Sequence, residues 1–298
     1  MENSSFSHPL EWDTIGGLDT TGFIFMSNNI SGPVGRISVN LTSYDLLKAA
    51  ALLLMVVDHA GFYFMPDELW PRAIGRLSAP IWIFLVGYAQ SRDLSPKLWI
   101  GMLILVLSNF ATGEAVLPVN ILGTIIFCRV LLDPVMNIVR AKPQSLYPIA
   151  FLFFLAGVPV GLFLEYGAAI FLIAMAGYMV RNRDNLPFRW NDILQFCAIA
   201  MVVHGFYQLG YYFFSFDLIY KIVIGAALLV LMLGVLVRFA PKEYPALTEK
   251  LPAPAVWVIQ FCGRRTLEFY VAHILIFHAV QIWLGLAEMH PFTLHIFR

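Results

Sequence analysis

Four ionisable residues share one apolar run, YDLLKAAALLLMVVDHAG at 44–61: Asp45 and Lys48 near its start, Asp58 and His59 near its end. Each costs about 2.5–3.5 kcal/mol at the centre of a membrane helix, so four in one helix need a chemical reason. At about 100° per residue, the step from Lys48 to His59 returns to within about 20° of the same face, with a rise of about 16 Å. Asp45 falls on that face too. The result is a polar stripe with an acid and a cation at one end and, toward the other, an imidazole able to titrate near neutral pH. Asp58 points about 100° away, toward a neighbouring helix. Such a column suits two chemistries: proton relay in a transporter, or transfer of a group from an anionic donor on one side to an acceptor on the other.

Two further stretches join it. In RAIGRLSAPIWIFLVGY, 72–88, Arg72 and Arg76 lie four residues apart at the end of a second helix, a short loop away from Asp58. Arg76 can pair with Asp58 or hold an anion. In GRRTLEFYVAHILIFH, 263–278, Thr266, Tyr270 and His273 recur at helical spacing, His278 falls on another face, and Arg264 and Arg265 form a basic mouth beside Lys48. For the sets His204, Gln208, Tyr211 and Asn120, Thr124, Arg129, interhelical hydrogen bonding is the better account. The chain has no HExxH, GxSxG, Walker or dinucleotide pattern.

The elements that must position these residues are membrane helices. The chain is 59% hydrophobic and 13% charged, with a mean hydropathy of +0.75; soluble domains carry about 25% charge. Windows of about 20 apolar residues recur, as a hydrocarbon core of about 30 Å demands. The expected fold is an all-α polytopic transmembrane bundle with spans near 45–64, 73–90, 97–113, 116–139, 147–164, 167–181, 193–214, 218–238 and 266–286. The segment 255–262 is too short to cross and should lie at the interface or re-enter. Residues 1–43 form a polar tail and 44–298 the membrane domain. Thirteen basic residues, from Arg36 to Arg265, fall on the N-terminal side of this arrangement, against Arg72, Lys221 and Arg298 on the other. That bias predicts a cytoplasmic N-terminus and an outside C-terminus. Zero formal net charge suggests no nucleic-acid partner. Cys128, Cys197 and Cys262 share no short spacing, and two of them sit in apolar runs and read as small buried hydrophobes.

The blocks DLLK…DHAG and IGRLSAP resemble the TraX family, which closes span one with Asp-His-x-Gly and opens span two with Gly-Arg-Leu-x-x-Pro. Here those are Asp58, His59 and Gly61, then Gly75, Arg76, Leu77 and Pro80. Lys48-x10-His59 is similar to the Arg-x10-His motif of the family 3 membrane acyltransferases, with Lys in place of Arg. GRRTLEFYVAHILIF is similar to the closing helix of that superfamily, which includes the lysosomal heparan glucosaminide N-acetyltransferase. The motifs cover about 60 residues, and the hydropathy pattern covers most of the rest.

The resemblance implies a multi-span acyltransferase of the bacterial cytoplasmic membrane that uses cytoplasmic acyl-CoA, most simply acetyl-CoA, with no metal. Its acceptor would be an amine or hydroxyl of a protein, glycan or lipid, such as the N-terminal amine of a pilin-like protein. His59 would be the general base, its tautomer fixed by Asp58 or another acceptor, and Arg76 or a tyrosine would stabilise the oxyanion. Lys48, Arg264 and Arg265 would meet the donor phosphates, with Asp45, Thr266, Tyr270 and His273 completing the donor column. Direct transfer and an acyl-His intermediate both fit. A homo-oligomer is open. The rival reading is a secondary transporter with His59 and Asp58 as proton relay, although the chain lacks paired half-repeats.

Overall fold

In the computed structural model, the described residues are 38–212, 216–286 and 292–297, without the side chains of 210–212. The expected polar tail therefore falls outside them up to residue 37, as does the side chain of Tyr211.

The described chain is a helical bundle. Helix α1 (Ser43–Phe64) starts at a capping box, because Thr42 accepts from the Asp45 amide and the Asp45 carboxylate accepts from the Thr42 amide. The second span divides into α2 (Leu69–Gly75) and α3 (Ser78–Tyr88), with Arg76 and Leu77 at the break. Then come α4 (Pro96–Thr112), a short strand β1 (Ala115–Leu117) and α5 (Ile121–Ala141). The fourth segment thus becomes helical five residues later than expected: Asn120 caps α5 by accepting from the Leu122 amide, and Pro118 has no amide to offer an earlier turn.

The fifth segment divides into α6 (Leu146–Leu155) and α7 (Gly157–Gly161), and the sixth contributes only α8 (Phe171–Arg181). Helix α9 (Trp190–Phe206) and helix α10 (Leu218–Val230) each continue into a π-helical stretch, at Tyr207–Tyr212 and Leu231–Leu236. Two short amphipathic pieces follow, α11 (Pro245–Lys250) and α12 (Ala253–Arg264), then α13 (Thr266–Trp283) and strand β2 (His295–Phe297), which pairs in parallel with β1.

Among the described residues, five helices are long and apolar enough to cross a membrane: Ser43–Phe64, Ile121–Ala141, Trp190–Leu209, Leu218–Leu236 and Thr266–Trp283. The other four expected segments are shorter or interrupted helices. Helix α12, twelve residues and so about 18 Å long, exposes Trp257, Val258 and Phe261. It rests on α1 through Gly263, where an added Cβ would fall 2.7 Å from the Asp45 Cα.

The core is centred on α8, whose residues from Phe171 to Gly177 are all buried. It is apolar on every side, as a helix enclosed by others must be. It meets α3 backbone to backbone: a Cβ at Gly87 would fall 1.9 Å from the Ala174 carbonyl oxygen, and one at Gly177 would fall 2.2 Å from that of Phe84. Small residues permit such approaches, which replace the missing hydrophobic drive between helices in lipid. Helices α6 and α10 instead turn Phe151, Leu152, Leu218, Ile219 and Ile222 outward.

Candidate functional site

A cavity of about 520 Å³ opens where the C-terminal half of α1 meets α2, α4, β1 and α13. Asp58, His59 and Tyr63 line it from α1, Arg72 from α2, Asn109 from α4, and Tyr270 from α13. Glu114, Glu165 and Asn120 add polar groups, and His295 and Phe297 of β2 complete the wall.

Asp58 is buried and held from two sides. Its Oδ2 lies 3.1 Å from Arg72 Nη1 and 3.3 Å from Arg76 Nη2, and Arg72 also donates to the Asp58 carbonyl at 3.4 Å. The local sequence permits this because α2 touches α1 directly: a Cβ at Gly75 would fall 2.2 Å from the Asp58 Cβ. Any side chain at Gly75 would move both arginines away from the carboxylate. Arg72 also lies over the Phe62 ring, 4.9 Å from its centroid. Arg76 reaches the other way, with Nη1 3.5 Å from Gln208 Oε1 on the π-helical continuation of α9.

Asp58 therefore does not orient His59. That partner is His273: His59 Nδ1 and His273 Nε2 lie 2.7 Å apart, with the ring planes 23° from parallel and 5.0 Å between centroids. His273 Nδ1 lies 2.8 Å from the Phe269 carbonyl oxygen, one turn earlier on α13. Tyr270 packs beside the pair, its ring 6.1 Å from that of His59. His278 also meets α1. Its Nε2 lies 2.8 Å from the Tyr63 hydroxyl and 3.5 Å from Glu114, and its Nδ1 lies 2.8 Å from the Ser108 hydroxyl.

The other end of α1 is arranged differently. The Asp45 carboxylate accepts from Arg264 through Nε at 3.1 Å and Nη2 at 3.2 Å, in addition to closing the helix cap. Arg264 also donates to the Ser38 carbonyl. Arg265, at the cap between α12 and α13, lies 3.8 Å from Glu268 in the first turn of α13, and Lys97 lies 3.8 Å from that carboxylate's same oxygen. Lys48 is 5% exposed and makes no ion pair among the described residues; its ammonium sits 5.6 Å from the Tyr44 ring centroid.

Of the residues expected to act, Asp58, His59 and Tyr270 line the cavity. Arg76 is buried behind Arg72 and does not line it. His273 belongs to the His59 pair rather than to a donor column, and Thr266 opens α13 away from the cavity wall. Asp45 and Arg264 neutralise each other and the half-exposed Arg265 meets Glu268, so of the expected basic mouth Lys48 alone makes no ion pair among the described residues. Arg72 is a lining residue whose spacing was visible but whose partner was not. Glu114, Glu165 and Asn109 converge from separate segments and left no local pattern in sequence.

The two remaining sets serve packing in part. Asn120 caps α5 and reaches the Met102 carbonyl, while Arg129 donates to the carbonyl of Asp93. His204 and Gln208 are buried. All three cysteines are free thiols, two of them buried.

Comparison with known proteins gives two matches in sequence and none in structure. A segment of 53 residues is 43% identical to an uncharacterized protein of Rickettsia prowazekii (strain Madrid E), covering 17% of this chain and 21% of that protein. The chain thus spans about a fifth of the curated relative it matches. No solved structure matches. The profile of the family described as TraX protein matches residues 43–281, from the first residue of α1 almost to the end of α13, and so takes in α1, α2, α4, β1 and most of α13 around the cavity but not β2. That match takes in most of the 298 residues, and the chain belongs to the TraX family.

Proposed function

We propose that this chain is an integral-membrane acyltransferase, akin to the wider group of membrane acyltransferases, that moves an acyl group, most simply acetyl, from acyl-CoA to an amine or hydroxyl acceptor. The observation that carries the reading is His59 on the wall of a polar cavity of about 520 Å³, with its Nδ1 engaged by His273 and its other ring nitrogen left for that cavity.

The residues divide the work as follows. The acceptor nitrogen or oxygen attacks the thioester carbonyl while His59 takes its proton. The carbon–sulfur bond then breaks, and the imidazolium returns the proton to the departing thiolate, leaving an amide or ester and free CoA. A positioned base of this kind contributes about 10²–10⁴-fold. Arg72, fixed by Asp58 and facing the cavity, is the cation best placed to stabilise the oxyanion, in place of Arg76. Asp58 holds both guanidinium groups. Lys48, a buried cation with no ion pair among the described residues, is the strongest candidate for a donor phosphate. The N-terminus is cytoplasmic in this reading, which puts Lys48 on the side where acyl-CoA is found, in a bacterial cytoplasmic membrane.

The test is thermal unfolding of the full chain in nanodiscs with and without acetyl-CoA, paired with an acetyl-transfer assay against amine acceptors. A ligand at 100 times its Kd stabilises the folded state by about 2.7 kcal/mol. Stabilisation by acetyl-CoA, and transfer that disappears in His59→Ala, is the expected result. Indifference to CoA at millimolar concentration would overturn the reading and favour a carrier for another solute.

A further inference from the structure

The hydrogen bonds around His59 fix which of its nitrogens is basic. A carbonyl oxygen can only accept, so the 2.8 Å contact between His273 Nδ1 and the Phe269 oxygen puts a hydrogen on His273 Nδ1. A neutral imidazole carries one such hydrogen, so His273 Nε2 bears the lone pair and accepts. The hydrogen in the 2.7 Å contact between the rings therefore belongs to His59 Nδ1. His59 Nε2 is left with a bare lone pair, on a side chain that lines the cavity. The opposite arrangement needs a doubly protonated His273. No carboxylate of the described residues forms an ion pair with either ring, and Asp58, the neighbour of His59 in the chain, is already held by Arg72 and Arg76. An added positive charge there would be uncompensated.

We infer that His273 is a positioning residue: a neutral histidine that accepts the Nδ1 hydrogen of His59 and thereby keeps His59 Nε2 deprotonated toward the cavity. The geometry is that of a base oriented by a third group, with an imidazole in the place usually held by a carboxylate. A neutral acceptor suits this site, because it orients the base without placing another charge inside the bundle. When His59 takes a proton at Nε2, its Nδ1–H bond to His273 becomes charge-assisted and stronger, so the partner stabilises the imidazolium as well as the tautomer. His273 itself neither gains nor loses a proton. This assignment rests on the acyl-transfer reading for its consequence, but not for its geometry.

The experiment is ¹⁵N NMR of the histidine-labelled full chain in nanodiscs, at a pH where the side chains are neutral, with the His59 signals identified by their loss in His59→Gln. The expected spectrum shows His59 protonated at Nδ1 and bare at Nε2. In His273→Ala, His59 should pass to the Nε2–H form that free imidazole side chains favour. In His273→Gln, whose amide oxygen can occupy the position of Nε2, the native form should return. In the acetyl-transfer assay, His273→Ala should lower kcat by about 10²-fold, at the lower edge of what a positioned base contributes, with the acetyl-CoA KM unchanged, and Gln should recover most of the loss. A wild-type His59 already protonated at Nε2, or a tautomer indifferent to His273→Ala, would overturn the inference. The spectrum needs no turnover, so an absence of acetyl transfer would remove the enzyme reading while the tautomer stood or fell separately.

Discussion

The two ends of α1 carry similar residues in opposite arrangements. At its start, Asp45 caps the helix and receives a two-point contact from Arg264, so an acid and a base consume each other's hydrogen-bonding capacity. Near its end, Asp58 receives two arginines, and that clamp leaves His59 to bond with a neutral neighbour and face a cavity. A carboxylate beside cations is thus a fastening at both places, and the difference lies in what the fastening leaves unoccupied. At the start it leaves Lys48, buried and without an ion pair among the described residues. At the end it leaves a ring nitrogen and a cavity of about 520 Å³.

The largest expected effect tests the cavity end. His59→Ala should reduce acetyl transfer by about 10²–10⁴-fold, with the unfolding temperature and acetyl-CoA affinity close to wild type. Near-normal turnover in a properly inserted variant would place the base elsewhere and remove the contrast between the ends.

Lys48→Gln sharpens what the other end is for. Loss of one charge-assisted hydrogen bond to a phosphate, worth about 1.5–3 kcal/mol, corresponds to about a 10- to 150-fold rise in the acyl-CoA dissociation constant. Because a buried cation without a partner is costly, the same variant should unfold no earlier than wild type in the absence of donor. Earlier unfolding with unchanged donor affinity would make Lys48 a structural residue.

The helix crossings should respond in stability. Gly87→Ala forces a methyl group against the Ala174 carbonyl and should cost about 1–3 kcal/mol by overpacking, read as a lower unfolding temperature in nanodiscs. A neutral outcome would mean that α3 and α8 are farther apart in the membrane.

The smallest effect belongs to Arg264→Gln. It removes the contacts to Asp45 while leaving the Thr42 cap, so a loss of about 1 kcal/mol in stability is expected, with both substrate KM values unchanged. A selective rise in the acyl-CoA KM would instead return Arg264 to the donor site that the sequence suggested.

Much of this molecule could be read from the chain alone. Apolar windows of bilayer length point to a mainly helical membrane protein, because in lipid the backbone must satisfy itself within each segment; the short β1–β2 pair left no such signal. The eleven-residue step from Lys48 to His59 and the four-residue step from Arg72 to Arg76 are properties of a helix and needed no partner to be seen. The interruptions were less legible. The break at Arg76 and Leu77 in the second segment, and the shortness of α8, depend on neighbours that cover the ends of each piece. Helix α8, buried from Phe171 to Gly177, is short and carries residues such as Ala174, Ala176 and Gly177, which weaken a hydropathy signal while permitting close packing.

What the sequence determined by itself was therefore the class of the protein, the positions of its polar stripes and the short motifs that resemble those of the TraX family, all of which are legible within one segment at a time. What only the tertiary structure decided was pairing. Whether Asp58 orients His59 or binds two arginines, whether Arg264 faces a phosphate or Asp45, and which nitrogen of His59 is basic depend on side chains up to about 220 residues apart in the chain. Hydrogen bonds and ion pairs act over about 3 Å, and no spacing within one segment specifies which distant group will arrive at that distance.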